Sequence, residues 1–250
     1  MDGELHVVAV GAHQDDVEVT CGGTLARYRA ELRCTIAVVC VSAGDLGGAP
    51  PADRAGTAAV REAEAREAAG LLGAAYHCLG QRDGFVENTA RAKTRLAEIL
   101  RAQRADVVFA PPPADYHPDH RATSELASDA CLLAAVPALA AEEEPLARAP
   151  ALFYTDSIAG LDFVPTRYVD ITGTFAAKRE LLRRHRSQMA HMRDVAGWDL
   201  VEYSEIVSAF RGVQCGVRHA EGFRPALEWP RLRADCLPAV GQEGASITGS

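Results

Sequence analysis

The chain has 250 residues, 48% of them hydrophobic and 24% charged, with a net charge of −8 at pH 7. That is the balance of a soluble globular protein with a sizeable core, and the acidic sign gives no support for a nucleic-acid or anionic-membrane partner. No apolar run is long enough to span a bilayer. The start, MDGELHVVAVG, lacks the basic n-region of a signal peptide, and seven scattered cysteines without a Cys-x-x-Cys pair read as reduced thiols of a cytoplasmic protein.

In chain order, LHVVAVG (5–11) is a short β-branched run ending in glycine and predicts a buried strand. A helix over 20–32 follows, opened by Thr20 and a Cys21-Gly22-Gly23 turn, and then a strand at 34–41. A Gly/Pro/Ala-rich loop (42–53) leads to a helix at about 54–73, a short strand YHCL, and a helix over 89–104 with Ala92, Leu96, Ile99 and Leu100 on one face. DVVFAPPP (106–113) is a strand stopped by prolines. A helix over 118–135, strands at 151–157 and 167–171 and a helix over 174–189 complete the pattern. This alternation predicts an α/β fold: a Rossmann-like open, mostly parallel sheet with helices on both faces, in a single domain. The domain is expected over 1–236, with 237–250 a loosely ordered tail; 136–150 (VPALAAEEEPLARAP) reads as a surface loop inside it.

In such sheets ligands bind beyond the carboxyl ends of the strands. Two polar clusters stand there: His13-Gln14-Asp15-Asp16 after the first strand, and Asp115-Tyr116-His117-Pro118-Asp119-His120 after the strand ending at Ala110. Imidazole and carboxylate together suit zinc or a similar first-row metal. His13 and Asp16 are three apart on a tight loop and can face one point. His117 and His120 are three apart at a helix start, where Pro118 fits the first position. Spacing by itself does not show that the clusters meet. A dinucleotide site is disfavoured: the glycines do not make G-x-G-x-x-G, and Asp15 and Asp16 would repel a pyrophosphate.

The stretches "GAHQDDVEVTCGGTLARY", "VREAEAREAAGLLG", "DYHPDHRAT", "AAKRELLRRHRSQ" and "HAEGFR", in this order over about residues 5–224, resemble the PIG-L/LmbE-like zinc-dependent N-deacetylases. The form is most similar to the bacterial subgroup with the bacillithiol-pathway enzymes, which act on N-acetylglucosaminyl malate. The resemblance implies removal of acetyl from a small N-acetylated amino-sugar substrate. It implies His13, Asp16 and His120 as zinc ligands, Asp15 as general base, His117 as the histidine at the tetrahedral intermediate and Asp119 as the carboxylate that orients His117. Arg61 is implied as a substrate-binding residue, although its charged helix alone would read as a solvated face. Iron(II) or cobalt(II) also suits two histidines and an aspartate. Family members often form multimers; the sequence leaves the oligomeric state open.

Gln14 stands where the family usually has proline, which leaves the ligands in place and changes loop rigidity. His185 reads as core-facing by periodicity and as near the site by the H-x-S-Q match. Glu18 is expected to bond within the first loop, and Asp45 either meets substrate or forms a turn. Two other functions fit the same residues: a zinc amidase acting on a thiol conjugate, and a non-catalytic metal- or glycan-binding protein. The presence of both Asp15 and His117 argues against the last.

Overall fold

The computed structural model describes residues 4–48, 53–139 and 141–227. The expected domain end at 236 and the tail 237–250 lie outside the described residues. Seven strands form one sheet in the order β3-β2-β1-β4-β5-β7-β6. These are β1 (Leu5–Gly11), β2 (Cys34–Ser42), β3 (Ala75–Gln81), β4 (Val107–Ala110), β5 (Ala151–Thr155), β6 (Arg167–Asp170) and β7 (Ala220–Pro225). The β3-β2-β1-β4-β5 portion is parallel, and β7 runs antiparallel between β5 and β6. The predicted α/β class, mostly parallel, is the class observed.

Alternation along β1 divides the core in two. Val8 and Val10 face one side, with Leu96 and Leu100 of α3 (Ala90–Ala102) and Leu126 of α4 (Pro118–Ala134). Val7 and Ala9 face the other, with Leu25 of α1 (Asp16–Glu31), Ala69 of α2 (Arg54–Leu71) and Leu181 of α5 (Phe175–Leu182). A strand buried on both faces has no reason to alternate in polarity, which is why these strands read as continuous apolar runs.

Four elements differ from expectation. The first helix begins at Asp16 rather than Thr20, with Asp15 at the cap position; Asp16 and Glu18 in its first turn suit the positive end of the helix dipole. Its glycines are not a turn. A Cβ on Gly23 would lie 2.7 Å from Ile171 Cδ1, so glycine there lets α1 approach its neighbour closely. The helix expected over 174–189 is two, α5 and α6 (Arg186–Ala196), broken at Arg183–His185. Helix α7 (Leu200–Cys215) and β7 were not foreseen. β7 is short, contains Gly222 and Pro225, and exists because β5 and β6 flank it.

Strand β1 lies between β2 and β4, so chain order reverses direction beside it. The loops leaving β1 and β4 open side by side at that switch point, where a crevice forms between them.

Candidate active site

The crevice is a cleft of about 380 Å³ whose lining includes His13, Asp15, Asp16, Arg61, Asp83, His117 and His120. The two clusters therefore meet in space. The His13 Nδ1 atom lies 3.4 Å from Asp16 Oδ2 and 3.3 Å from His120 Nε2, and His120 Nε2 is 3.4 Å from Asp16 Oδ2. A tetrahedral ion with bonds of about 2.0–2.1 Å sets its ligand atoms about 3.3–3.4 Å apart.

The partners of the opposite ring nitrogens fit the same reading. His120 Nδ1 is 3.1 Å from Asp115 Oδ1, and His13 Nε2 is 3.2 Å from Asp83 Oδ1 and 3.3 Å from Asp119 Oδ2. Assigned from these acceptors, each neutral ring carries its proton on the outward nitrogen. Two lone pairs and a carboxylate oxygen then converge on one point, which calls for a cation. This is the carboxylate–histidine arrangement that steadies metal-binding imidazoles. His13 is also close-set with Asp83 and Asp119, and with His117 and His120. The first of those sets is better read as the support of the outward His13 nitrogen, because it shares that nitrogen's side of the ring.

Without a metal the same carboxylates attract protons. Burial works against the charged form of His13, but Asp16, Asp119 and Asp83 outweigh it and hold the ring well above the ordinary histidine range. For His120, burial is likewise outweighed by Asp16 and Asp115, and its value rises to about 9. Asp16 is pulled well below the carboxylate range, against its own burial, by His120 and His13. His117 shifts down, through burial and then the neighbouring charges of His13 and His120.

Local backbone explains the placement. Asp15 caps α1 without a side-chain cap bond, so its carboxylate is free to turn into the cleft. Asp16 Oδ2 accepts the His13 backbone N–H at 2.8 Å, closing the loop over the same oxygen that faces the two histidines. His117 caps α4, its Nδ1 accepting the Asp119 backbone N–H at 3.2 Å, so the neutral ring carries its proton on Nε2. The Asp119 carboxylate does something else: it accepts from Gly84 N (2.7 Å) and Val86 N (3.1 Å) and faces His13. The expectation that this carboxylate orients His117 is corrected. The backbone of Asp119 touches His117, while its side chain holds His13.

Arg61 is 4% exposed, so the solvated-face reading fails. Its Nη2 lies 3.1 Å from Asp15 Oδ1 and its Nη1 donates to Gly44 O at 3.2 Å. Gly47 packs on this guanidinium with no room for a Cβ. Gln14 is buried, and its Nε2 donates to Ser42 O at 3.2 Å, fastening the first loop to the end of β2. Asp45 forms a loop tie, bonding Arg54 and the Asp83 N–H. Glu18 does not bond within its loop; it faces His185 at 3.5 Å, and both are buried. Asp83, Asp115, and Met192 of α6 and Leu200 of α7 in the cleft lining received no role from sequence. A D-G turn signal at Asp83-Gly84 and the five-residue spacing of Asp115 to His120 were the available signs.

The sequence profile of the PIG-L family, described as GlcNAc-PI de-N-acetylase, matches residues 8–131, about half of the chain and both clusters. The chain belongs to the PIG-L family. Among PIG-L relatives it is 31% identical over 145 residues to the probable N-acetyl-alpha-D-glucosaminyl L-malate deacetylase 2 of Bacillus anthracis. That match covers 55% of this chain and 63% of the relative, so less than two thirds of the relative's length is spanned. The conserved protein TT1542 of Thermus thermophilus is 33% identical with a TM-score of 0.74, over 92% of this chain and 100% of that one. N,N'-diacetylchitobiose deacetylase of Pyrococcus horikoshii is 27% identical with a TM-score of 0.76, over 88% and 83%. The 4-carboxy-2-hydroxymuconate hydratase of Pseudomonas putida, 24% identical over 92% and 99% with a TM-score of 0.78, shares the fold alone. The fold of the PIG-L family therefore does not name the reaction; the site must.

Proposed function

We propose that this protein is a zinc-dependent hydrolase that removes the acetyl group from an N-acetylglucosamine-containing molecule. The observation that carries the reading is the convergence of the His13 and His120 lone pairs with Asp16 Oδ2 in a cleft that Asp15 also lines. His13, Asp16 and His120 would hold the ion; iron(II) or cobalt(II) fits the same donors. Bound there, the metal would supply a Lewis acid that polarises an amide carbonyl and acidifies water.

The chain's own groups carry the remaining work. Asp15, held by Arg61 and not spent on capping, accepts the proton of the attacking water. His117 Nε2–H donates to the oxygen on which negative charge develops. The carbon–nitrogen bond then breaks, the amine takes the proton, and acetate leaves. Asp119 and Asp83 act through His13, and Asp115 acts through His120. Relatives described as deacetylases of acetylated amino-sugars support the substrate class.

The test is acetate release from a panel of N-acetylglucosaminides by protein of defined metal content. Turnover that follows metal occupancy supports the proposal. A fully loaded protein that releases no acetate from any of them overturns it. Release of a larger acid from a thiol conjugate instead would establish the amidase reading.

A further inference from the structure

The cleft has two unlike walls. One carries the histidines and aspartates. The other is mostly apolar, with Val19 of α1, Leu46, Ile158, Met192 of α6 and Leu200 of α7 beside the amide of Gln188, also of α6; Tyr116 stands against the His117 and His120 rings. Leu46 is 47% exposed and Ile158 and Met192 are half-buried, so these side chains are presented to a ligand, while Val19 and Leu200 are buried beneath them. Inside, the wall continues into a small cluster of Val19, Leu182 and Leu200, with Ile158 and Met189 against it. Helix α6 has no fully buried residue, yet it places Met192 in the cleft. Methionine is the apolar side chain that adapts best to varied partners.

Charge points the same way. Among the described residues lining the cleft, Arg61 is the one lysine or arginine, and its guanidinium is already held by Asp15 and the Gly44 carbonyl, with Asp83 Oδ2 at 3.8 Å. Arg82 and Arg121 are not among the lining residues; Arg82 lies over the Phe85 ring and Arg121 Nη1 donates to the Asp115 and Tyr116 carbonyls. A dicarboxylate aglycone would enter a cleft rich in aspartate whose described lining offers no lysine or arginine besides the paired Arg61, and stripping water from an unpaired carboxylate is costly.

Resting on the deacetylase reading, we propose that the aglycone subsite is the wall of Leu46, Ile158, Met192 and Leu200, and that it takes an uncharged, apolar aglycone, alkyl or aryl, rather than a carboxylate-bearing one such as malate. The sugar lies between this wall and the histidines, with its N-acyl group toward Asp15.

Affinity is read apart from turnover. The metal-loaded protein is titrated with octyl, methyl and malyl glucosaminides, the amine products, and kcat/KM is measured on the three N-acetylated substrates. Octyl glucosaminide should bind about tenfold or more tighter than methyl, the size expected when a few methylenes leave water, and malyl no tighter than methyl. Met192→Asp should remove most of the octyl preference, and Met192→Leu should keep it. Malyl binding tighter than octyl, octyl equal to methyl, or an octyl preference untouched by Met192→Asp would each overturn the proposal. An octyl preference in binding without turnover of any substrate would support the subsite and sink the deacetylase reading alone.

Discussion

Arg61 Nη2 and Asp15 Oδ1 stand 3.1 Å apart in the wall of the cleft, both buried. A helix residue that looks solvated in sequence is thus the electrostatic partner of the proposed base. Arg61→Lys would keep the charge and lose the planar fork that spans Asp15 and Gly44. Activity should fall on the order of 100-fold, the cost of a misplaced reacting group, while the metal stays bound. Wild-type kinetics in Arg61→Ala at full occupancy would remove Arg61 from the mechanism.

Asp15→Asn is nearly isosteric and cannot accept the proton. The protein should fold and keep its metal while kcat drops by roughly 100-fold or more, the scale of general-base catalysis. Metal loss in this variant would instead make Asp15 a ligand.

Metal binding should displace protons. The surrounding carboxylates hold His13 well above the ordinary histidine range and His120 at about 9, so the metal-free pair carries protons at pH 7. Titrating zinc into the metal-free protein at pH 7 should release at least one proton, the one shared between His120 Nε2 and His13 Nδ1, since imidazole ligates only when neutral. Calorimetry in buffers of different ionisation enthalpy reads the number. His13→Ala and His120→Ala should each lose most of the metal, and unchanged metal content in both would refute the ligand assignment.

The same two groups give the metal-free protein a pH-dependent stability. A histidine whose folded value is raised adds stability that is fully present below its unfolded value and is lost as pH rises through the folded one. The window here runs from about 6.5, the unfolded value, to about 9 for His120. The Tm of chelated protein should fall across it. A Tm that rises over that range would show that these pairs do not form in the folded chain.

Gly44 should tolerate no side chain. Its φ is +64°, and an added Cβ meets the Gln14 amide. Gly44→Ala should cost about 1–3 kcal/mol from the left-handed backbone alone, with a further loss of activity because Gln14 sits between His13 and Asp15 in the first loop of the cleft. Unaltered denaturant midpoint and kcat/KM would show that the loop yields without cost.

Some of this was legible in the sequence. The parallel βα order, the apolar strands and the two polar clusters follow from local pattern, because a doubly covered strand must be apolar along its length and a strand end is where polar groups can stand free. His13, Asp16, His117 and His120 were recognisable for that reason. What local pattern could not supply is pairing between distant segments. Asp83 and Asp119 on His13, Asp115 on His120, and Arg61 on Asp15 depend on loops brought together by the β1–β4 crevice. Gly23 of α1 looked like part of a turn because its close neighbour, Ile171, lies nearly 150 residues away. β7 pairs with β5 on one side and β6 on the other, and Met192 lines the cleft from α6, a helix separate from α5 after the break at Arg183–His185. Local propensity sets which elements form; the orientation of a buried carboxylate is set by whichever donors the tertiary fold leaves within reach of it.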